Sequence, residues 1–152
     1  MTQTEMARSR VILLVDDDPD DWLLVQDAVL ECGWKGDLRR VENGEELLDY
    51  LRRRGRYAAP ASSPRPGLIL LDLNMPRKDG REALLELKTD PNLRRIPVVV
   101  LTTSKADTDI AKLYELGASS FISKPVHFEG LVNVLRTISQ YWFQVVQLPT
   151  VT

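Results

Sequence analysis

Short apolar runs alternate along this chain with longer stretches of helical periodicity. Val11 to Val15, Leu68 to Leu71 and Val98 to Leu101 are uninterrupted apolar segments bounded by turn residues. Such runs read as strands buried on both faces. A buried helix segment gives the same pattern, but Pro66 and Gly67 before the middle run, with Pro76 and Gly80 after it, favour a strand there. Asp37 to Val41 and Ser120 to Ser123 are weaker strand candidates.

Between these runs the spacing predicts helices. Asp18 followed by Pro19 fits an N-cap with proline at the first helical position, acids in the next turn complement the helix dipole, and Gly33 ends a helix carrying Trp22, Val25, Val29 and Cys32. Asn43 caps a helix with Leu47, Leu48 and Leu51 that stops near Gly55. Arg81 to Lys88, Ala106 to Leu116 and Phe128 to about Val146 are the remaining helices, with Gly117 closing the second of these. Strand and helix thus alternate five times. That order predicts an α/β fold, a doubly wound five-stranded parallel sheet of order 2-1-3-4-5 with helices on both faces. Residues 10–147 are expected to form one domain, with a flexible segment at 1–9 and a tail at 148–152.

Composition adds limits. At 152 residues, 43% hydrophobic and 28% charged, the chain suits a single soluble domain. No apolar stretch approaches the ~20 residues of a membrane span, and Met1 to Arg10 lacks the apolar core of a secretory signal. The single cysteine, Cys32, excludes an internal disulfide or a Cys-rich zinc site and fits a cytoplasmic location. A net charge of −2 offers no general attraction to nucleic acid. Arg52, Arg53, Arg54 and Arg56 cluster where a helix ends, as expected of cations complementing a helix C-terminus. Tyr57 to Pro66 is expected to be an exposed loop.

The candidate chemistry lies just past the strands. Asp16 and Asp17 follow the first, Asp72 the third, Thr102 the fourth and Lys124 the fifth. The predicted topology brings these ends to one crevice, making a pocket of three carboxylates, one hydroxyl and one ammonium. Like charges 4 Å apart repel by ~1 kcal/mol in water and ~4 kcal/mol at an effective dielectric of 20, so the pocket calls for a cation. Oxygen-only donors suit magnesium rather than zinc. An ionised carboxylate in such a site can attack phosphorus and become an aspartyl phosphate, with the metal and Lys124 neutralising the phosphoryl oxygens. The lone histidine, His127, only begins the last helix.

This ordered set resembles the receiver domain of two-component response regulators: Asp16-Asp17 after an apolar strand, Asp72 in Leu-Asp-Leu-Asn-Met-Pro, Asp79-Gly80, Thr102, and Lys124-Pro125 after Gly117-Ala118-Ser119-Ser120-Phe121. The likeness spans roughly residues 9 to 140. It implies a flavodoxin-like receiver fold with Asp72 as phosphoacceptor, Asp17 as a direct metal ligand, and Asp16 a ligand chiefly through water. The backbone carbonyl of Asn74 would join Asp72 in completing the protein's share of the magnesium site. Thr102 and Phe121 would be the switch pair, Lys124 would pair with the phosphoryl group, and a cis peptide would precede Pro125. Such a protein is a signalling phosphoprotein rather than an enzyme with a separate substrate, catalysing its own phosphotransfer and slow dephosphorylation. Thr103 stands where receivers usually carry Ala or Gly, and Phe121 lacks a tyrosine's hydroxyl, so switching must rest on packing.

The stretches around Asp72, Lys78 to Glu82, Ile96 to Ser104, and the aromatic end Tyr141-Trp142-Phe143 are similar to small receivers paired with phytochrome histidine kinases. That resemblance implies a phytochrome-type kinase as partner. Only 28 residues follow Lys124, too few for a DNA-binding output domain, so the signal is expected to leave through the receiver's own surface. Leu131, Leu135, Ile138, Trp142 and Val145 form a core stripe on the last helix. Val134, Tyr141, Phe143 and Val146 lie partly off it and suggest a homodimer contact. Two other readings compete. A phosphatase of the haloacid-dehalogenase type would need an acid where Asn74 stands. A pseudo-receiver, an interaction module that is never phosphorylated, would not need the full set of Asp16, Asp17, Asp72, Thr102 and Lys124.

Overall fold

The computed structural model describes residues 10–34, 36–72, 80–102, 107–125 and 127–145. Five strands, β1 (Val11–Val15), β2 (Asp37–Val41), β3 (Leu68–Leu71), β4 (Val98–Thr102) and β5 (Ser120–Ser123), form one sheet of order β2-β1-β3-β4-β5. Every pairing is parallel, with Val15 opposite both Val41 and Leu71, and Thr102 opposite Ser123. The helices are α1 (Pro19–Cys32), α2 (Gly44–Arg52), α3 (Gly80–Thr89), α4 (Asp107–Glu115) and α5 (Phe128–Gln140), the last continuing as a π-helical turn over Tyr141–Val145. The expected architecture and strand order are therefore the observed ones.

The unbroken apolar runs of β1, β3 and β4 have a simple cause. Successive strand residues point to opposite faces, and both faces are covered. Leu13, Val15, Ile69, Leu71, Val98 and Val100 meet Leu47 and Tyr50 of α2 with Ala83, Leu84 and Leu87 of α3. Ile12, Leu14, Leu68, Leu70, Val99 and Leu101 meet Val25, Ala28 and Val29 of α1 with Leu131, Val132, Leu135 and Ile138 of α5. The helix ends follow the sequence signals. Asp18 caps α1 by accepting from the Asp20 amide at 2.9 Å, and Asn43 caps α2 by accepting from Glu46 at 2.8 Å. Gly33 ends α1 at φ 78°, a left-handed conformation that favours glycine.

Three expectations need correction. The segment from Tyr57 to Pro66 is not simply an exposed loop: it contains two 3₁₀ turns, Gly55–Tyr57 and Pro60–Ser62, and buries Tyr57 and Ser63. The Tyr57 ring lies 5.1 Å from that of Tyr50, and the Ser63 hydroxyl donates to the Tyr57 carbonyl at 2.9 Å. Polar residues can line such a segment because its own backbone satisfies them. The last helix is shorter than expected as an α-helix, giving way to π geometry at Tyr141. Phe143, expected off the core, packs 5.3 Å from the buried Trp34, because the widened π turn shifts the helical phase beyond Gln140.

Of the clustered arginines, Arg52, Arg54 and Arg56 are engaged by acidic side chains. Arg52 pairs with Glu86 and Asp90 at 3.9 and 3.5 Å, and Arg54 with Asp49 at 3.1 Å. Among the described residues, no helix is long and apolar enough to cross a membrane.

Candidate phosphoacceptor site

Two carboxylates stand side by side because their strands do. Asp16 and Asp72 are the first residues past the ends of β1 and β3, and each extends the sheet by one hydrogen bond. The Asp16 amide donates to Val41 at 3.1 Å, and the Asp72 amide donates to Val15 at 3.0 Å. Lys124 arrives from the far edge. Two strand spacings of ~4.8 Å separate β5 from β3, a gap only a long side chain crosses. Its ammonium lies 3.1 Å from Asp16 Oδ2 and 3.7 Å from Asp72 Oδ2.

A third acid completes the cluster. Asp21, in the first turn of α1, forms a close ion pair with Lys124. The sequence reading gave this residue only to the helix dipole. Its placement follows from the turn before α1: Asp16 Oδ1 accepts from the Asp18 amide at 3.0 Å, and Asp18 in turn caps the helix. That tight turn aims the helix N-terminus, and Asp21 with it, back at the strand ends. Oxygens of Asp16, Asp21 and Asp72 lie within 4.8 Å of one another.

The electrostatics are those of a site with too much negative charge. Asp16 is only 1% exposed. Burial pushes its carboxyl up to about 6, with Asp72 adding to the rise, against the Asp18 amide and Lys124. Burial alone would lower the pKa of Lys124, but the hydrogen bonds its ammonium donates to Asp21 and Asp16 and the charges of Asp16 and Asp72 outweigh it and hold the ammonium protonated. Three carboxylates around one ammonium leave an excess of two negative charges. One divalent ion carries that charge, and an all-oxygen donor set fits a hard cation.

The other expected site residues fall as follows. Asp17 is exposed and lines a neighbouring cleft with Glu42, Asn43, Glu46 and Arg56, outside the three-carboxylate cluster. Thr102 closes β4 opposite Ser123, its backbone beside the others at the same edge of the sheet, while its side chain lies outside the described atoms. Asn74 lies outside the described residues. Phe121 is partly buried against the α2–α3 side of the core, and its amide donates to the Tyr114 hydroxyl of α4 at 3.2 Å. The cis peptide that the resemblance implied before Pro125 is not found: the Lys124–Pro125 bond is trans, the form that an X–Pro bond ordinarily prefers by ~0.5–1 kcal/mol.

Beside Asp17, Glu46 is fastened on several sides. Burial raises its pKa, but the Tyr57 hydroxyl, the Glu42 amide and the Arg56 guanidinium together hold it below the usual carboxylate value. Arg56 also lies 4.9 Å over the Tyr57 ring. Nothing in the run of arginines alone signals this latch, because it depends on the fold of the 3₁₀ segment.

Comparison with known proteins places the fold in a family. The response regulator receiver domain family matches residues 12–136. Response regulator Rcp1 of Synechocystis sp. is 41% identical over 140 residues, covering 92% of this chain and 93% of that protein. The solved structure of the phosphorylated cyanobacterial phytochrome response regulator RcpA superposes with a TM-score of 0.84 at 41% identity, covering 93% of this chain and 99% of that one. The Mn2+-bound form of Rcp1 superposes with a TM-score of 0.81 at 42% identity, covering 91% and 98%.

Proposed function

Because the chain belongs to the response regulator receiver domain family, we propose that it is a single-domain response regulator whose Asp72 accepts a phosphoryl group from a histidine kinase in a magnesium-dependent reaction. The observation that carries this reading is the position of Asp72, at the carboxyl end of β3, 3.7 Å from the Lys124 ammonium and beside the buried Asp16. An ionised Asp72 needs no base to act as nucleophile. Its oxygen bonds to phosphorus as the bond from phosphorus to the kinase histidine breaks. Lys124, freed in part from the acids, pairs with the phosphoryl oxygens. Asp16, Asp21 and Asp72 would hold the magnesium, joined by Asp17 and the Asn74 carbonyl as the resemblance implies, and the ion would neutralise charge on the transferring group.

Thr102 and Phe121 form the switch. The Thr102 hydroxyl donates to the attached phosphoryl group, and the Phe121 ring moves further into the core. The signal leaves through the receiver's own surface, in the cytoplasm. The likeness to RcpA and Rcp1 supports a phytochrome-type kinase as donor. The half-exposed Tyr141 supports a homodimer through the last helix.

Phosphotransfer from a 32P-labelled phytochrome-type kinase tests the core of this reading. Label is expected on the wild type with magnesium, and not with chelator or on Asp72→Asn. Retained label on Asp72→Asn would remove Asp72 from the role. Sedimentation velocity tests the dimer: Tyr141→Lys should shift the protein toward monomer, and a wild type that is monomeric at tens of micromolar, phosphorylated or not, would end that part.

A further inference from the structure

The turn that carries Asp16 and Asp17 is pinned from the neighbouring strand by a side chain. β2 is the edge strand beside β1, in a register that sets Arg40 opposite Leu14 and Val41 opposite Val15. Backbone pairing continues one step past the strand ends, where the Asp16 amide donates to the Val41 carbonyl at 3.1 Å. The chain then leaves β2 for the Asn43 cap of α2. There the Asp16 carbonyl is met by the Arg40 guanidinium, whose Nε donates to it at 3.0 Å. Only 15% of the Arg40 side chain is exposed.

That contact has a geometric consequence. The Asp16 carbonyl belongs to the peptide plane joining Asp16 to Asp17, and a planar peptide carries both α-carbons with it. Holding its oxygen therefore limits the direction in which the Asp17 side chain leaves the strand end. The other side of the turn is held by the Asp16 carboxylate, whose Oδ1 accepts from the Asp18 amide at 3.0 Å. Asp16 is thus fixed through its amide, its carboxylate and its carbonyl. The charge of Arg40 is not what the turn gains. A cation beside carboxylates opposes the binding of a second cation, and Arg40 shares its charge with Glu42 at 3.6 Å. What Arg40 supplies is a donor in a fixed place, strengthened by being ionised.

We infer that Arg40 is a positioning residue for the acid turn: its hydrogen bond to the Asp16 carbonyl sets the directions of Asp16 and Asp17, and with them the affinity for a divalent cation. The inference rests on the magnesium site proposed above. Removing a group that orients metal ligands from one step away commonly weakens metal binding by about 10- to 100-fold. The lower end is expected here, because the turn keeps its hydrogen bonds to Val41 and Asp18.

The test separates the donor from the charge. Arg40→Gln places an N–H where the arginine Nε stood and removes the charge, whereas Arg40→Met keeps the stem with neither. Each whole chain, stripped of metal and dialysed, is titrated with magnesium chloride and followed by the NMR shifts of the Asp16 and Asp72 amides. Exchange of the Asp18 amide with water is read in the metal-free state, with the Ile69 amide of β3 as internal reference. Arg40→Met is expected to bind magnesium about tenfold more weakly than the wild type, with faster exchange at Asp18 and none gained at Ile69. Arg40→Gln is expected to bind at least as tightly as the wild type and to protect Asp18 equally. Circular dichroism reports folding, and Arg40→Ala carries the same expectation if the methionine variant does not fold. Equal binding in wild type and Arg40→Met, tighter binding in both variants, Arg40→Gln as weak as Arg40→Met, or equal acceleration at Asp18 and Ile69 would overturn the inference alone. A wild type without any magnesium-dependent shift would overturn the magnesium reading and this inference together.

Discussion

At the carboxyl end of the sheet, Asp16, Asp21 and Asp72 crowd around the single ammonium of Lys124. At the amino end, Arg52, Arg53 and Arg65 gather around a small cavity with Glu86 and Asp90 to one side. The acid end is built from residues just past strand ends, with Asp21 added from the first turn of α1, and is largely buried. The arginine end is built from a helix cap and a loop and is mostly solvated. Charge at the two ends therefore has different consequences. Buried charge must be matched by a partner or by a change in protonation, whereas exposed guanidinium groups share their field with water and contribute little to folding.

The largest expected effect breaks the acid end. Lys124→Ala leaves three carboxylates without their ammonium. It should destabilise the protein by about 3 kcal/mol in chelator, read from urea denaturation, with part of the loss regained in millimolar magnesium. An equal loss with and without magnesium would count against a cation taking up the excess charge.

A slightly smaller effect appears at the other end, at alkaline pH. Burial pushes the Tyr50 phenol up to about 12 from 10.0. Below pH 10 the phenol is neutral in both states, and its full contribution is present. Between pH 10 and 12 the unfolded chain ionises while the folded one does not, so stability falls as pH rises. At 1.36 kcal/mol per pH unit this amounts to about 2.7 kcal/mol. Tyr50→Phe should cost about 1 kcal/mol at neutral pH, by removing the hydrogen bond to Pro64, and should flatten that alkaline limb. Thermal melts across pH 8 to 12 make the comparison.

Asn43→Ala should cost about 1 kcal/mol in urea denaturation through loss of the α2 cap, a local effect beside Asp17 that leaves the proposed labelling of Asp72 unchanged. The smallest change is expected for Arg54→Ala. Its pair with Asp49 is exposed on both sides, so its removal should move stability by less than about 0.5 kcal/mol. A larger loss would mean that the arginine end is more tightly integrated than its exposure implies.

Much of the acid end was legible before folding. Asp16 and Asp72 each follow an apolar run and Lys124 follows the weaker strand candidate Ser120 to Ser123, and once these are strands of one parallel sheet their ends must meet. Asp21 was harder to place, because its i+5 offset from Asp16 means little until the turn through Asp18 sets the direction of α1. Tyr57 and Ser63 were also hidden. Their loop has the proline and serine content of a solvated segment, and only its hydrogen bonds back to its own carbonyls allow burial. Arg65 stands twelve residues past Arg53, so the cationic cavity could not be read from the clustered arginines alone.

Sequence by itself determined the elements, their order, and which residues terminate the strands, because periodicity, caps and turn residues act over a few positions. Tertiary structure alone decided which acids share Lys124, where Asp17 stands relative to them, how Phe143 meets Trp34 across the α5 end, and which arginines line the far cavity. Those are distances between side chains on different elements. They depend on helix direction, loop path and packing phase, none of which is encoded in any short stretch of the chain.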